Sequence, residues 1–455
     1  MKLVKSLLLG SAAGIAAVAG AQAADLPSRK AAPVEYVRVC SAYGAGFFYI
    51  PGTDTCLRVG GRVRAEYAIG ERYSDFQDAY GTRARGRLNI DARTATAYGT
   101  LRAFIRYELT NNTGIYTAGT APFNVGANVP GLVRGAAGTG SLVDLAFVQF
   151  GPITAGRAQS FFDFYASDYN FASIRTADSR VNLLAYTATF GSGFSATISA
   201  EDRTSGTVGR ELPGVIFNPL TGINSGAAVV QGQDYPDLVA SLRVDQGWGS
   251  AQLSGALGQR NYAVATTTTA VDGDEMVFAV QGGVKLNLPF LANGDALFLQ
   301  AAYADGAIGY LGWNAGSFGL GRLGRLSLAD ASINPLTGSV KNTTGYSLVA
   351  ALRHFWTPTL RSEIGVSYSE LKLGYNDPSA LFGFSRSLDP KEFLAVGNLI
   401  WSPVSGLDIG VEVLYSNLQV RSPVGIVNNA NVRSGVLGIK SEDSFSGRLR
   451  IQRDF

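Results

Sequence analysis

The sequence predicts an all-β fold, a 16-stranded antiparallel transmembrane β-barrel with its third external loop folded inward. Three observations predict it. Many runs alternate apolar and polar residues with the period of two that puts neighbours on opposite faces of a strand. The connections between these runs alternate short and long, as they do when short turns gather on one rim of a barrel and long loops on the other. Finally, an export signal opens the chain, and no later apolar run reaches the roughly 20 residues of a membrane helix. An exported chain of that kind is either soluble or a closed barrel, since only helices and barrels satisfy their backbone in lipid.

The 455 residues have the size of two or three ordinary domains, but composition argues for one large all-β unit. Glycine (56), tyrosine (20) and phenylalanine (24) are abundant, while methionine (2) and histidine (1) are scarce, which suits many pleated strands joined by turns. Residues 1–23 read as a signal peptide: Lys2 and Lys5, the apolar stretch Leu7–Val18, then the small-residue pattern Ala21-Gln22-Ala23. Losing its two lysines takes the formal net charge from +3 to +1, so global basicity draws no nucleic acid. Residues 24–56 form an N-terminal segment and 57–455 the barrel. Cys40 and Cys56, an even count in an exported chain, favour a disulfide, with a metal pair as the weaker rival because His354 is distant in sequence.

Taken in order, Leu57–Ile69 sets Leu57, Val59, Val63, Ala65, Tyr67 and Ile69 against Arg58, Arg62, Arg64 and Glu66. Thr82–Thr94 sets Ala84, Leu88, Ile90 and Ala92 against Arg83, Arg85, Arg87, Asn89, Asp91 and Arg93. Thr100–Leu109 opposes Leu101, Ala103, Ile105 and Tyr107 to Arg102, Arg106 and Glu108. Further strands are expected at Leu142–Phe150, Ile153–Arg157, Asn182–Phe190, Phe194–Asp202, Tyr235–Asp245, Ser250–Asn261, Glu275–Leu288, Asp295–Ala304, Thr344–Trp356, Leu360–Leu373, Glu392–Trp401, Leu407–Val420 and Phe445–Phe455. Alternation alone fits a soluble sandwich as well as a barrel. The loop rhythm selects the barrel: Gly151-Pro152, Gly191–Gly193 and Thr357–Thr359 are short, whereas Asn111–Ser141, Arg203–Asp234, Asp305–Thr343 and Gly374–Lys391 are long.

One connection, Ala158–Asn182, is too aromatic for a solvated loop and too charged for a strand. It carries Phe161, Phe162, Phe164, Tyr165, Tyr169 and Phe171 among Asp163, Asp168, Asp178, Arg175 and Arg180. Disordered segments are poor in aromatics, so this one is expected to pack, with its phenylalanines on the inner wall at about 25 cal/mol per Å² buried. It then enters and narrows the barrel; the alternative is a lid over the mouth. Catalysis finds little support. A nucleophile would need His354 as its base, and alternation puts that residue on the outward face. Asp272–Glu275 reads as an acidic turn in solvent rather than a Ca²⁺ loop, and no cofactor or metal is expected.

Several stretches carry a family resemblance. Val34–Gly61, Thr154–Phe164, Ile174–Tyr186 and the terminal Phe455 together resemble the general-diffusion porins of alphaproteobacterial outer membranes, the type found in Brucella and rhizobia. The resemblance implies an outer-membrane homotrimer passing small hydrophilic solutes and ions without tight binding. It also implies that the outer-membrane assembly machinery reads the last strand, ending in Phe455.

In a closed barrel the last strand lies beside the first, so Arg448, Arg450, Arg58, Arg62, Arg64, Arg83, Arg85, Arg87, Arg102 and Arg106 share one basic wall. Facing Asp163, Asp168 and Asp178 across a constriction, they set up a transverse field. The bland alternative is that these arginines pair locally with Glu66, Asp91 and Glu108. A solute-specific channel of the same architecture is the runner-up function; it favours a track of stacked aromatics, whereas here the aromatics gather in one loop.

Overall fold

The computed structural model describes residues 38–71, 78–116, 138–203, 228–230, 233–265, 270–313, 328, 330–333, 340–373, 389–424 and 439–455. The expected signal peptide and parts of the long connections lie outside these residues. The chain divides into two compact units, Met1–Cys56 and Leu57–Phe455.

Within the first unit the Cys40–Cys56 disulfide is present, and with Phe47 these cysteines form a small buried cluster flanked by Tyr43 and Tyr49. Backbone bonds from Cys40 N to Phe47 O (2.9 Å) and from Tyr49 N to Arg38 O (2.8 Å) fold the segment back on itself.

The second unit is a closed antiparallel barrel. Its strands are β1 (Cys56–Gly70), β2 (Tyr80–Thr96), β3 (Gly99–Asn112), β4 (Gly138–Phe150), β5 (Ile153–Gln159), β6 (Arg180–Gly191), β7 (Phe194–Asp202) and β8 (Asp237–Gln246). They continue as β9 (Gly249–Ala265), β10 (Ala270–Asn287), β11 (Ala296–Asp305), β12 (Thr344–Thr357), β13 (Leu360–Lys372), β14 (Lys391–Val404), β15 (Leu407–Val424) and β16 (Ile439–Asp454). Each strand pairs with its sequence neighbours, and β16 returns to β1 with Ala65 opposite Ile451 and Tyr67 opposite Leu449. Phe455 completes the closure by exchanging backbone hydrogen bonds with Gly61 (2.9 and 3.0 Å).

Burial follows the sequence alternation with its usual sense reversed. Along β1, Val63 and Ile69 are 59% and 65% exposed while Glu66 is 1% exposed. Along β8 and β9, Leu242 and Leu253 are exposed while Ser241 and Ser254 are buried. The apolar faces look outward and the polar faces inward, as in a barrel whose solvent on the outside is hydrocarbon. Terminal aromatics such as Trp356, Trp401 and Phe455 are exposed at the short-turn rim.

Some strands run past their expected ends. Asp272–Glu275, expected as a turn, lies within β10, because β9 and β10 continue as a two-stranded ribbon up to the pair Ala265–Ala270. The short strand Ala228–Val230 adds to that ribbon against Tyr262–Val264, in a stretch expected to be loop. Backbone pairing favours such hairpin extensions beyond the level where the barrel's neighbouring strands end.

Candidate functional site

The polar faces of the strands enclose two chain segments. The first is residues 160–179, which leaves β5 and returns to β6. At its stem Ser160 Oγ donates to Glu201 Oε2 (2.6 Å), and the Phe161 N–H donates to Glu201 Oε1 (3.0 Å). The Phe162 carbonyl accepts from Ser254 Oγ (2.7 Å) and Gln281 Nε2 (2.9 Å). Gln300 accepts from the Tyr165 N–H (2.9 Å) and donates to Thr176 Oγ1 (2.8 Å), tying the two limbs of the segment together.

Farther along, Glu412 accepts from the N–H groups of Phe171 (2.5 Å) and Ala172 (2.7 Å). Arg448 Nη1 donates to the Phe171 carbonyl (2.5 Å), and Arg450 stacks over the Phe171 ring at 3.9 Å. A segment that starts at β5 thus reaches β15 and β16, by contacts with β7 and β9–β14 on the way.

The second segment is the buried turn Ile308–Leu311, continuing to Trp313, between β11 and β12. Tyr310 packs on Phe162 with ring centroids 4.4 Å apart. Trp313 Nε1 donates to Ser369 Oγ (2.7 Å), and the Arg175 guanidinium lies 3.7 Å over the Trp313 ring. Sequence reasoning missed these residues. The run Gly309–Trp313 carries the same cue, aromatics inside a long connection, that singled out Ala158–Asn182.

The charges named from the sequence fall into three settings. Asp163 and Arg175 are buried. Asp163 Oδ2 accepts from the Ser179 N–H (2.7 Å) and from Gln159, while Oδ1 is buried without a hydrogen-bond partner. Burial, with Asp178 and Glu201 nearby, pushes its carboxyl up to about 7. Arg175 pairs with Glu392 and donates to the Gly312 carbonyl (2.9 Å). These two residues hold the segment and do not face open space, because the backbone path turns their side chains into its own packing.

Asp168 is exposed, and its carboxyl is raised above the usual range by the protein around it and then by Asp178. Asp178 is half-buried, paired with Arg180, which also lies 3.5 Å from Asp144.

The arginines form the third setting. Glu66 is shared by Arg83, Arg450 (2.7 Å) and Arg448 (3.7 Å). Glu108 takes Arg87 (2.5 Å) and Arg85 (3.3 Å), and Asp91 takes Arg93 (2.7 Å) and Arg102 (2.9 Å). Arg106 reaches Asp144 (3.4 Å), Arg62 reaches Asp454 (2.5 Å), and Arg64 donates to Gln452 (2.8 Å). Arg58 is exposed. Local pairing therefore occurs, but Glu66 serves three guanidinium groups and Glu108 and Asp91 two each, so β1–β3 and β16 keep a surplus of positive charge.

His354 Nδ1 lies 2.6 Å from Asp295 Oδ2, with its ring edge-on to Trp356 at the rim. Among the described residues, no group of three or more His, Cys, Asp or Glu side chains is placed to hold a metal ion.

The family profile described as "Porin subfamily" matches residues 25–447. The chain is 32% identical over 320 residues to Porin Omp2b of Brucella abortus (strain 2308), covering 67% of this chain and 75% of that protein. It is 33% identical over 317 residues to Porin Omp2b of Brucella suis, with the same coverage. Among solved structures, the outer membrane channel DcaP of Acinetobacter baumannii superposes with a TM-score of 0.57 at 15% identity, over 90% of this chain and 99% of that one, a likeness of fold.

Proposed function

Because this chain belongs to the porin subfamily, and so forms a diffusion pore in the bacterial outer membrane, we propose that residues 160–179 set its constriction. The observation that carries this reading is the reach of the segment: it leaves β5 and is hydrogen-bonded to Glu412 on β15 and Arg448 on β16. Water then passes between the segment and the arginine-bearing β1–β3.

On the segment the charges in contact with that water are Asp168 and Asp178; on the wall they are Arg58, Arg62, Arg64, Arg83, Arg85, Arg87, Arg102 and Arg106, whose charge the neighbouring carboxylates offset only in part. Opposed charges across a narrow, low-dielectric gap focus a field of several kT. Polar solutes and ions align in such a field, while apolar solutes have to displace ordered water. Such charges tune ion preference as charged rings do in other channels. The solutes are small and hydrophilic and bind without tight contacts, and the chain performs no catalysis. Residues 1–23 act as the export signal, three copies assemble, and the assembly machinery reads the strand ending in Phe455.

The constriction is tested in planar bilayers under a salt gradient. Replacing Asp168→Asn and Asp178→Asn together shifts the reversal potential toward anions. An unchanged reversal potential removes these carboxylates from the narrowest level. Saturable block by micromolar sugar instead supports a solute-specific channel.

A further inference from the structure

On the short-turn side of the folded-in segment lies a cavity of about 690 Å³. Its lining includes Phe164 and Asp168 from the segment, Arg243 and Asp245 from β8, Lys285 from β10 and Phe298 from β11. The volume falls in the range of about 300–1,000 Å³ typical of small-molecule sites.

Two features of the lining narrow the class of ligand. First, its charges balance: two cations and two carboxylates, so neither a plain anion nor a plain cation gains from net charge. Second, the four charges are not equally available. Arg243 and Asp245 satisfy one another through two parallel hydrogen bonds (2.7 and 2.8 Å). Among the described residues no ion pair within 4 Å joins Lys285 or Asp168 to a neighbour, although Asp168 lies in the field of Arg180, Arg353 and Lys285. The Lys285 ammonium rests over the Phe298 ring at 5.4 Å, a contact that leaves its donors free for an anionic group. Asp168 is exposed toward the same space. Phe164 and Phe298 meet edge to face at 5.6 Å and are largely buried, so they border the cavity with apolar ring edges.

We infer that this cavity is a weak binding site for small zwitterions, solutes with an amine at one end, a carboxylate at the other and a short apolar stem. The carboxylate meets Lys285, the amine meets Asp168, and the stem passes the ring edges of Phe164 and Phe298. A transit pore with such a pocket adjoining its narrowest level, and sharing Asp168 with it, retains zwitterions longer than neutral or singly charged solutes of equal size. The inference rests on residues 160–179 lying within the water path.

The test is current-noise analysis in planar bilayers with 5-aminovalerate added to the short-turn side. Pentanoate and 1,5-pentanediol serve as size-matched controls, and the proteins are wild type, Lys285→Gln, Lys285→Arg and Asp168→Asn. Channel insertion itself reports that each variant has folded. The expected result is excess noise with 5-aminovalerate alone, about tenfold weaker apparent binding in Lys285→Gln and in Asp168→Asn, and recovery in Lys285→Arg. Equal noise with the diol or pentanoate, or undiminished noise in Lys285→Gln, overturns the site. Lys285 is not part of the proposed constriction. An unchanged reversal potential in the Asp168/Asp178 variant beside lost zwitterion noise in Lys285→Gln therefore counts against the constriction alone.

Discussion

Glu412 accepts two consecutive backbone N–H groups, those of Phe171 and Ala172, and is itself buried. Hydrogen bonds to a charged acceptor are worth about 1.5–3 kcal/mol each, and a buried donor left unpaired costs a similar amount. Glu412→Gln keeps one acceptor and turns an NH₂ toward the second donor, so the far end of the segment is loosened although Arg448 and Arg450 still hold Phe171. Noisier single-channel current and faster hydrogen exchange at residues 171–172 check this; a quiet channel with unchanged exchange contradicts it.

Asp163 gives the pH dependence. Its carboxyl titrates near 7 when folded, against an ordinary value of 3.8. A carboxyl raised in the folded state takes up a proton on folding between those values. Its contribution to stability is therefore full at the acid end and is lost as pH rises through about 7. The wild type gains melting temperature between about pH 8.5 and about pH 5 by an increment that Asp163→Asn lacks; identical pH profiles exclude this residue as the source. Which loop charges face water was not legible in the sequence. Period two assigns faces along a strand, but within 160–179 the direction of Asp163 or Arg175 depends on a backbone path with no period.

At the scale of elements, the segment fits because strands opposite it carry glycine where it comes closest. A Cβ on Gly410 would lie 2.7 Å from the Phe171 ring, and one on Gly365 would lie 2.7 Å from the Asn170 side chain. Gly283 leaves the same room for Phe164. Gly410→Val is therefore expected to displace Phe171, breaking the Arg450 stack and changing the single-channel conductance, with the barrel's resistance to heat retained. An unchanged conductance shows that the segment tolerates the extra volume.

The turn Ile308–Leu311 and Trp313 brace the segment from the other side. The sequence shows the aromatics of this connection but not their destination, which depends on tertiary contacts some 140 residues away. In the N-terminal unit, the disulfide joins residues 16 apart, and closing such a loop is worth about 3 kcal/mol. Reduction is expected to open residues 40–56 to protease while channels still insert; protease resistance after reduction denies the disulfide that role.

For the whole molecule, the strand pattern was the legible part. Each of the sixteen runs read from alternation is a barrel strand, and the closure of β16 on β1 follows from an antiparallel chain with an even number of strands. Polar faces that carry Glu66, Gln281 and Glu412 are buried while Val63, Leu242 and Leu253 are exposed. That arrangement is stable only with hydrocarbon outside, and it leaves the enclosed side to water and the two folded-in segments. The ends of the strands were less legible, since hairpins such as β9–β10 go on pairing beyond the ends of the neighbouring barrel strands.

The most direct test of this arrangement is single-channel conductance of the purified chain in planar bilayers as KCl concentration is raised. A water-filled lumen gives ohmic steps whose size rises in proportion to the conductivity of the bulk solution. Steps that saturate at low salt, or no steps from protein inserted in the membrane, contradict it.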